Sequence, residues 1–356
     1  MAQAQNMIKY IFKRILLMFP MLIMVLIFTW LLSHMMAVSP VTNKIGFTMD
    51  PDVYENELKR IGFYDPWYIK LGNYIGNFFT GDWGKSYIIQ ADMPVLELIG
   101  RIFPKTIELM ILPNIIVPYV AIRLGVVSAK NKNRAKDSII RGGAILGAGF
   151  PVFWIASLIQ IFVGSTLKQF TAYGFIFEVV LPNSPKYTTY TPYPGGAPHT
   201  GFRIIDSLLY NDQIYLWDTL MHLILPVACM CLVSLAGVTR QTRSSMLDVL
   251  DQDYIRSARA KGVRERVVIH KHALRNALIP TSNLIIGGFS SLFLGSLFIE
   301  VTFNYTGYGY WMVNSIFRGD YLVINGLLVF STLIIIGGTL LADIMYTVID
   351  PRISYR

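Results

Sequence analysis

Charge is scarce in this chain. Of its 356 residues 15% are charged and 53% hydrophobic, and mean hydropathy is +0.47. A soluble domain carries roughly a quarter of its residues as charges, so that class is excluded. Cysteine is scarcer still. Cys229 and Cys231 stand two apart in one apolar run, where a helix points them in different directions. A disulfide framework and a thiolate metal pair are thereby excluded, leaving inert buried thiols. Catalytic signatures are missing too. No Gly-x-Ser-x-Gly elbow and no His-Glu-x-x-His helix occurs. His270 and His272 share a polar stretch while His222 lies at the far end of a span, so they form no common site. Gly84-Lys85-Ser86 imitates the end of a phosphate loop, but the required earlier glycine is Phe79; Gly307 and Gly309 need a third glycine where Met312 stands. The chain is expected to bind no metal, nucleotide or other cofactor of its own and not to be an enzyme.

What it has is long apolar runs. A membrane helix needs about 20 residues, and six stretches qualify: 15–36, 107–127, 142–163, 216–238, 278–299 and 322–348. The first could be a secretory signal with Ala37-Val38-Ser39 as its cleavage point, but it exceeds a signal core and reads as a retained span. Pro113 and Pro118 predict kinks in the second span, and Gly149-Phe150-Pro151 one in the third. Arg123 lies near the inner end of its span, where a long side chain snorkels to the headgroups. The lone His222 reads as a hydrogen-bonded structural residue rather than a ligand.

The formal net charge of +9 reflects orientation rather than affinity for nucleic acid. Most of the 31 Lys and Arg sit in the termini and the loops around 130–141 and 240–277. By the positive-inside bias those segments and both termini are cytoplasmic. The reading is an all-α polytopic protein of six helices. Residues 1–36 hold a cytoplasmic N-terminus and first span, 37–106 an enlarged external region, 107–348 the core, and 349–356 a cytoplasmic tail. A second external segment covers 168–215; within it Thr188 to Gly196 has no helical period and reads as an exposed loop.

The informative stretch is 243–280. Eight cations mark it: Arg243, Arg256, Arg259, Lys261, Arg264, Arg266, Lys271 and Arg275. Leu247, Leu250, Tyr254 and Ala258 recur at steps of three and four, predicting one helix with an apolar stripe. Gly262 interrupts it at a cheap point of reversal, and Val267, Leu274 and Leu278 restart a stripe that runs into the fifth span. Helix, glycine corner, helix at a membrane surface describes a docking element.

Asp253-Tyr254-Ile255-Arg256-Ser257-Ala258-Arg259-Ala260-Lys261-Gly262, followed by His272-Ala273-Leu274-Arg275-Asn276-Ala277-Leu278-Ile279-Pro280, resembles the cytoplasmic coupling loop of ABC-importer permeases, in the wording of the dipeptide, oligopeptide and nickel group. Against the general pattern, Arg256 and Ser257 replace a Glu-Ala pair, His272 an Ile and Arg275 a Pro. Further motifs follow in family order: Gly81-Asp82-Trp83-Gly84-Lys85-Ser86, then Arg101, Pro104, Thr106, Glu108 and Leu109, then His222 to Pro226, and Arg318-Gly319-Asp320-Tyr321. The resemblance implies a type I importer permease that pairs with a second, homologous permease. Two ATPase subunits would supply ATP and Mg, and an extracytoplasmic binding protein the substrate. Short peptides are the implied cargo; nickel and glutathione permeases share the motifs. The fifth span supplies candidate pore-lining residues Gly287, Gly288, Ser290, Ser291 and Ser296. A secondary transporter or channel would hold ionisable groups near mid-membrane, whereas Glu108, Arg123, Asp218 and Asp343 fall near predicted span ends.

Overall fold

The computed structural model describes residues 2–35, 55–56, 59, 63–86, 88–90, 92–162 and 200–349. All elements named among them are helical. Eleven organise the chain: α1 (Ala2–Met35), α2 (Trp67–Thr80), α3 (Val95–Lys130), α4 (Ala135–Gly149), α5 (Val152–Phe162), α6 (Arg203–Leu209), α7 (Gln213–Leu250), α8 (Asp253–Ala260), α9 (Glu265–Thr302), α10 (Tyr308–Arg318) and α11 (Tyr321–Ile349). In α9 a π-helical turn, Val268–Ala273, precedes the regular helix from Leu274.

Among the described residues, five helices are long and apolar enough to cross a membrane: α1, α3, α7, α9 and α11. The expected third span is instead two helices, α4 and α5, bent by 102° between Gly149 and Val152. The predicted kink is therefore a break, set where Pro151 has no N–H to give and disfavours helical backbone in Phe150. Counting this pair as one gives six spans.

Helix boundaries correct the apolar windows. α3 starts at Val95, twelve residues before the predicted span, and α7 runs on to Leu250 without interruption. The polar ends are stabilised locally. Glu97 and Arg101 pair one turn apart at 2.6 Å on α3, and the Asp212 carboxylate caps α7 by accepting from Tyr215 N–H at 3.0 Å. The segment 168–215, expected to be external, is only partly described. Its loop at Thr188–Gly196 lies outside the described residues, but α6 within the same segment is folded. Glu108 of α3 accepts from the first two N–H groups of α6, Arg203 at 3.3 Å and Ile204 at 2.6 Å.

The described helices gather into two compact units. One joins the described residues up to Pro104 with Gly307–Leu340; the other holds those of Lys105–Thr306 with the end of α11 from Leu341. In the first, Asp320 is fully buried and its Oδ2 accepts from Ser86 Oγ at 2.6 Å and from the N–H groups of Ile88 and Ile89. Two motifs more than two hundred residues apart are thus one knot. In the second, α7 packs on α4 and α9, and a buried cluster collects under α8.

Candidate functional site

At Leu250 α7 ends, and Asp251 and Gln252 turn the chain into α8, a separate helix of eight residues. The stripe expected on one helix therefore belongs to two: Leu247 and Leu250 close α7, while Tyr254 and Ala258 sit on α8. What fastens α8 is a residue that the periodicity did not single out. Ile255 has no exposed surface and packs with Val126, Ala129, Met246, Val268, Ile269, Ala273 and Ala277. Burial of such a side chain is worth about 1.5–3 kcal/mol. Its isolation among charged neighbours was the available signal.

Gly262 makes the corner. Its φ is +75°, the left-handed region where glycine alone is unstrained. Gly262 N–H donates to Arg259 O at 2.9 Å and Val263 N–H to Ala258 O at 3.3 Å, the paired bonds of a Schellman cap. Arg259 then bridges the corner, donating twice to Glu265 at 2.9 and 3.2 Å. That carboxylate holds the Arg259 guanidinium further above its ordinary range. The outer face of α8 is open: Asp253, Tyr254, Arg256, Ser257, Arg259, Ala260 and Lys261 are exposed.

The second motif backs the first. Ala273 is fully buried in the cluster and Leu274 packs against it, while Asn276 Nδ2 donates to the Tyr254 hydroxyl at 2.8 Å. His272 is half-buried and Arg275 exposed. The two predicted stretches are thus brought together, with α8 as a polar knob on an apolar base.

A cavity of about 510 Å³ lies elsewhere in the same unit, between α3, α7 and α9, with Val152 of α5 on its wall. Gly287, Gly288 and Ser291 line it, beside Asn114, Ser234 and Asn283. Ser290 is not among its lining residues. Ser296 is fully buried, its hydroxyl donating to Phe293 O at 2.8 Å.

Polar groups missed as a set crowd the second unit near α6. Besides holding α6 with Glu108, α3 offers Thr106, whose hydroxyl donates to the fully buried Glu300 at 2.7 Å. Arg203 of α6 donates to the Tyr215 hydroxyl at 3.1 Å and stands 3.6 Å from Asp218. His222 bonds through Nδ1 to Asp218 O at 2.7 Å, in the structural role expected of it. Tyr305 donates to Lys105 O, and burial raises its hydroxyl well above the ordinary value. Arg123 lies over the Tyr119 ring at 3.9 Å.

Comparison with known proteins identifies the family. Residues 121–355, which include α8, the corner and most of the cavity wall, match the family described as binding-protein-dependent transport system inner membrane component. The chain is 34% identical over 350 residues to an oligopeptide transport system permease protein of Bacillus subtilis, covering 97% of this chain and 99% of the relative. A dipeptide transport system permease protein of Alkalihalophilus pseudofirmus is 33% identical over 350 residues, covering 98% and 100%. The dipeptide transport system permease protein of Escherichia coli K12 is 31% identical over 351 residues, again covering 98% and 100%. With a family match across two thirds of its length and relatives aligned end to end, the chain belongs to the inner-membrane permease components of binding-protein-dependent transport systems.

Proposed function

We propose that this chain is the permease subunit of an ATP-driven importer that moves di- and oligopeptides across the cytoplasmic membrane. It pairs with a second, homologous permease, receives substrate from an extracytoplasmic binding protein, and is driven by two ATPase subunits that carry the ATP and Mg. Both termini and α8 face the cytoplasm. The observation that carries this reading is α8: an exposed, cationic helix that rests on a fully buried Ile255 and ends at the fixed corner of Gly262. A rigid knob on a packed base transmits displacement into the spans behind it, whereas a loose loop would absorb it.

Peptide cargo is supported by the relatives, which are oligopeptide and dipeptide transport system permeases, and by the cavity wall. That wall offers glycine, proline, aliphatic groups and neutral amides and hydroxyls, and none of its described lining residues is charged. A charged ligand held there would require fixed complementary groups, because unpaired charge in a membrane is costly. Selection is accordingly assigned to the binding protein. Reconstituting the complete importer and exchanging its binding protein for a compatible one of different preference should change which peptides are imported. Ser291→Ala should alter rate more than ranking. Re-ranking of peptides by Ser291→Ala with the binding protein held constant would place a selective site in the cavity instead.

A further inference from the structure

Asp137 lies at the cytoplasmic start of α4, inside the basic run 130–141, and it has no exposed surface. Its concealment comes from its own donors. Oδ1 accepts from Ser128 Oγ at 2.5 Å and from Arg243 Nε at 2.7 Å; Oδ2 accepts from Asn133 N–H at 3.0 Å and from Arg243 Nη2 at 2.9 Å. Arg141 adds a looser ion pair at 3.6 Å. One carboxylate therefore ties together the end of α3, the turn at Asn133, the first turn of α4 and the shaft of α7. A two-pronged arginine–carboxylate pair fixes orientation as well as distance.

The position of this joint matters more than its strength. Arg243 is three residues before Met246 on α7, so the two share a face, and Met246 is fully buried in the cluster that seats Ile255 of α8. Beside it, Thr242 is pressed against Gly125 of α3. From Asp137, α4 runs to the 102° break, beyond which Val152 of α5 lines the cavity. Rigid elements thus run from the exposed knob through α7 and the ion pair to the bent helix at the cavity. We propose that Asp137 is a positioning residue for coupling, whose bond to Arg243 passes displacement of α8 to α4 and α5. This inference rests on the importer reading above. Energetic coupling between sites requires an element that both sites bias, and the α4–α5 pair, broken at Pro151 and anchored at Asp137, is that element.

The test uses the complete importer in proteoliposomes, with radiolabelled dipeptide uptake and ATP hydrolysis read on the same sample at equal amounts of assembled complex. Asp137→Asn keeps the shape and one accepting oxygen for the Asn133 N–H, while its NH2 group can donate to the Ser128 hydroxyl, but it removes the charge and the second acceptor that fix Arg243. It should lower peptide imported per ATP by about five-fold or more, the lower end of ordinary coupling strengths. Arg243→Lys keeps the charge, loses the two-pronged geometry and should fall between. A merely structural role would reduce assembled complex while leaving that ratio unchanged. A wild-type ratio from Asp137→Asn overturns the inference. Should Asp137→Asn fail to assemble, Arg243→Lys decides: a lowered ratio supports the joint and an unchanged one overturns it. Failure of the wild-type complex to couple uptake to ATP would instead defeat the importer reading.

Discussion

A Cβ added at Gly125 would meet Thr242 Cβ at 2.5 Å and Thr239 O at 3.0 Å, so nothing larger than glycine fits where α3 crosses α7. At Gly262 space is open and only the backbone angle selects glycine. These circumstances differ in how readable they are. A glycine in the middle of a polar, helical-period stretch announces a corner, and 262 could be placed from the letters alone. A glycine inside an apolar run says only that something approaches closely, and Thr242 is identified only by the packed helices. Asp137 was hidden in the same way, as one acidic letter among five basic ones whose partner is 106 residues away. Gly125→Ala should destabilise the α3–α7 contact by about 1–3 kcal/mol, the usual cost of overpacking. The thermal midpoint of the detergent-solubilised complex should fall by several degrees; an unchanged midpoint would mean that the helices part freely there.

Among elements, α8 shows both the reach and the limit of periodicity. The steps of three and four across 247–258 were real, but they belong to two helices that press on one cluster. A hydrophobic pattern records the surface it faces and continues across a break when both sides face the same surface. Span windows failed differently: they found the apolar part of α3 and missed its first three turns, which are amphipathic and held by the Glu97–Arg101 pair. The α4–α5 break was legible as a kink because Pro151 is visible, but its size is set by what each half packs against. Ile255 is the side chain that seats α8 on its base. Ile255→Ala removes packing worth about 2–5 kcal/mol, and Ile255→Asp adds an unpaired buried charge. ATP hydrolysis stimulated by the loaded binding protein should fall in the order wild type, Ala, Asp, with permease still in the membrane. Equal stimulation in all three would show that α8 does not need its base.

For the whole molecule, chain order predicts neither unit. The segment Gly307–Leu340 joins the first hundred residues, and the Ser86–Asp320 bond that helps seal that unit crosses 234 positions. Both partners lie in motifs that sequence comparison could recognise but could not pair, because pairing depends on helix lengths and turns in between. A glycine corner, a buried isoleucine and an arginine–aspartate joint make one path only if α8 is where force enters. The most direct measurement is peptide imported per ATP hydrolysed by the reconstituted importer carrying Gly262→Trp. Tryptophan at a φ of +75° is strained, and its bulk would stand at the corner of the exposed face. Assembled complex at wild-type amount, continued ATP hydrolysis and a collapse of import per ATP is the predicted result. Import per ATP equal to wild type would contradict the assignment of α8 and its corner as the coupling site.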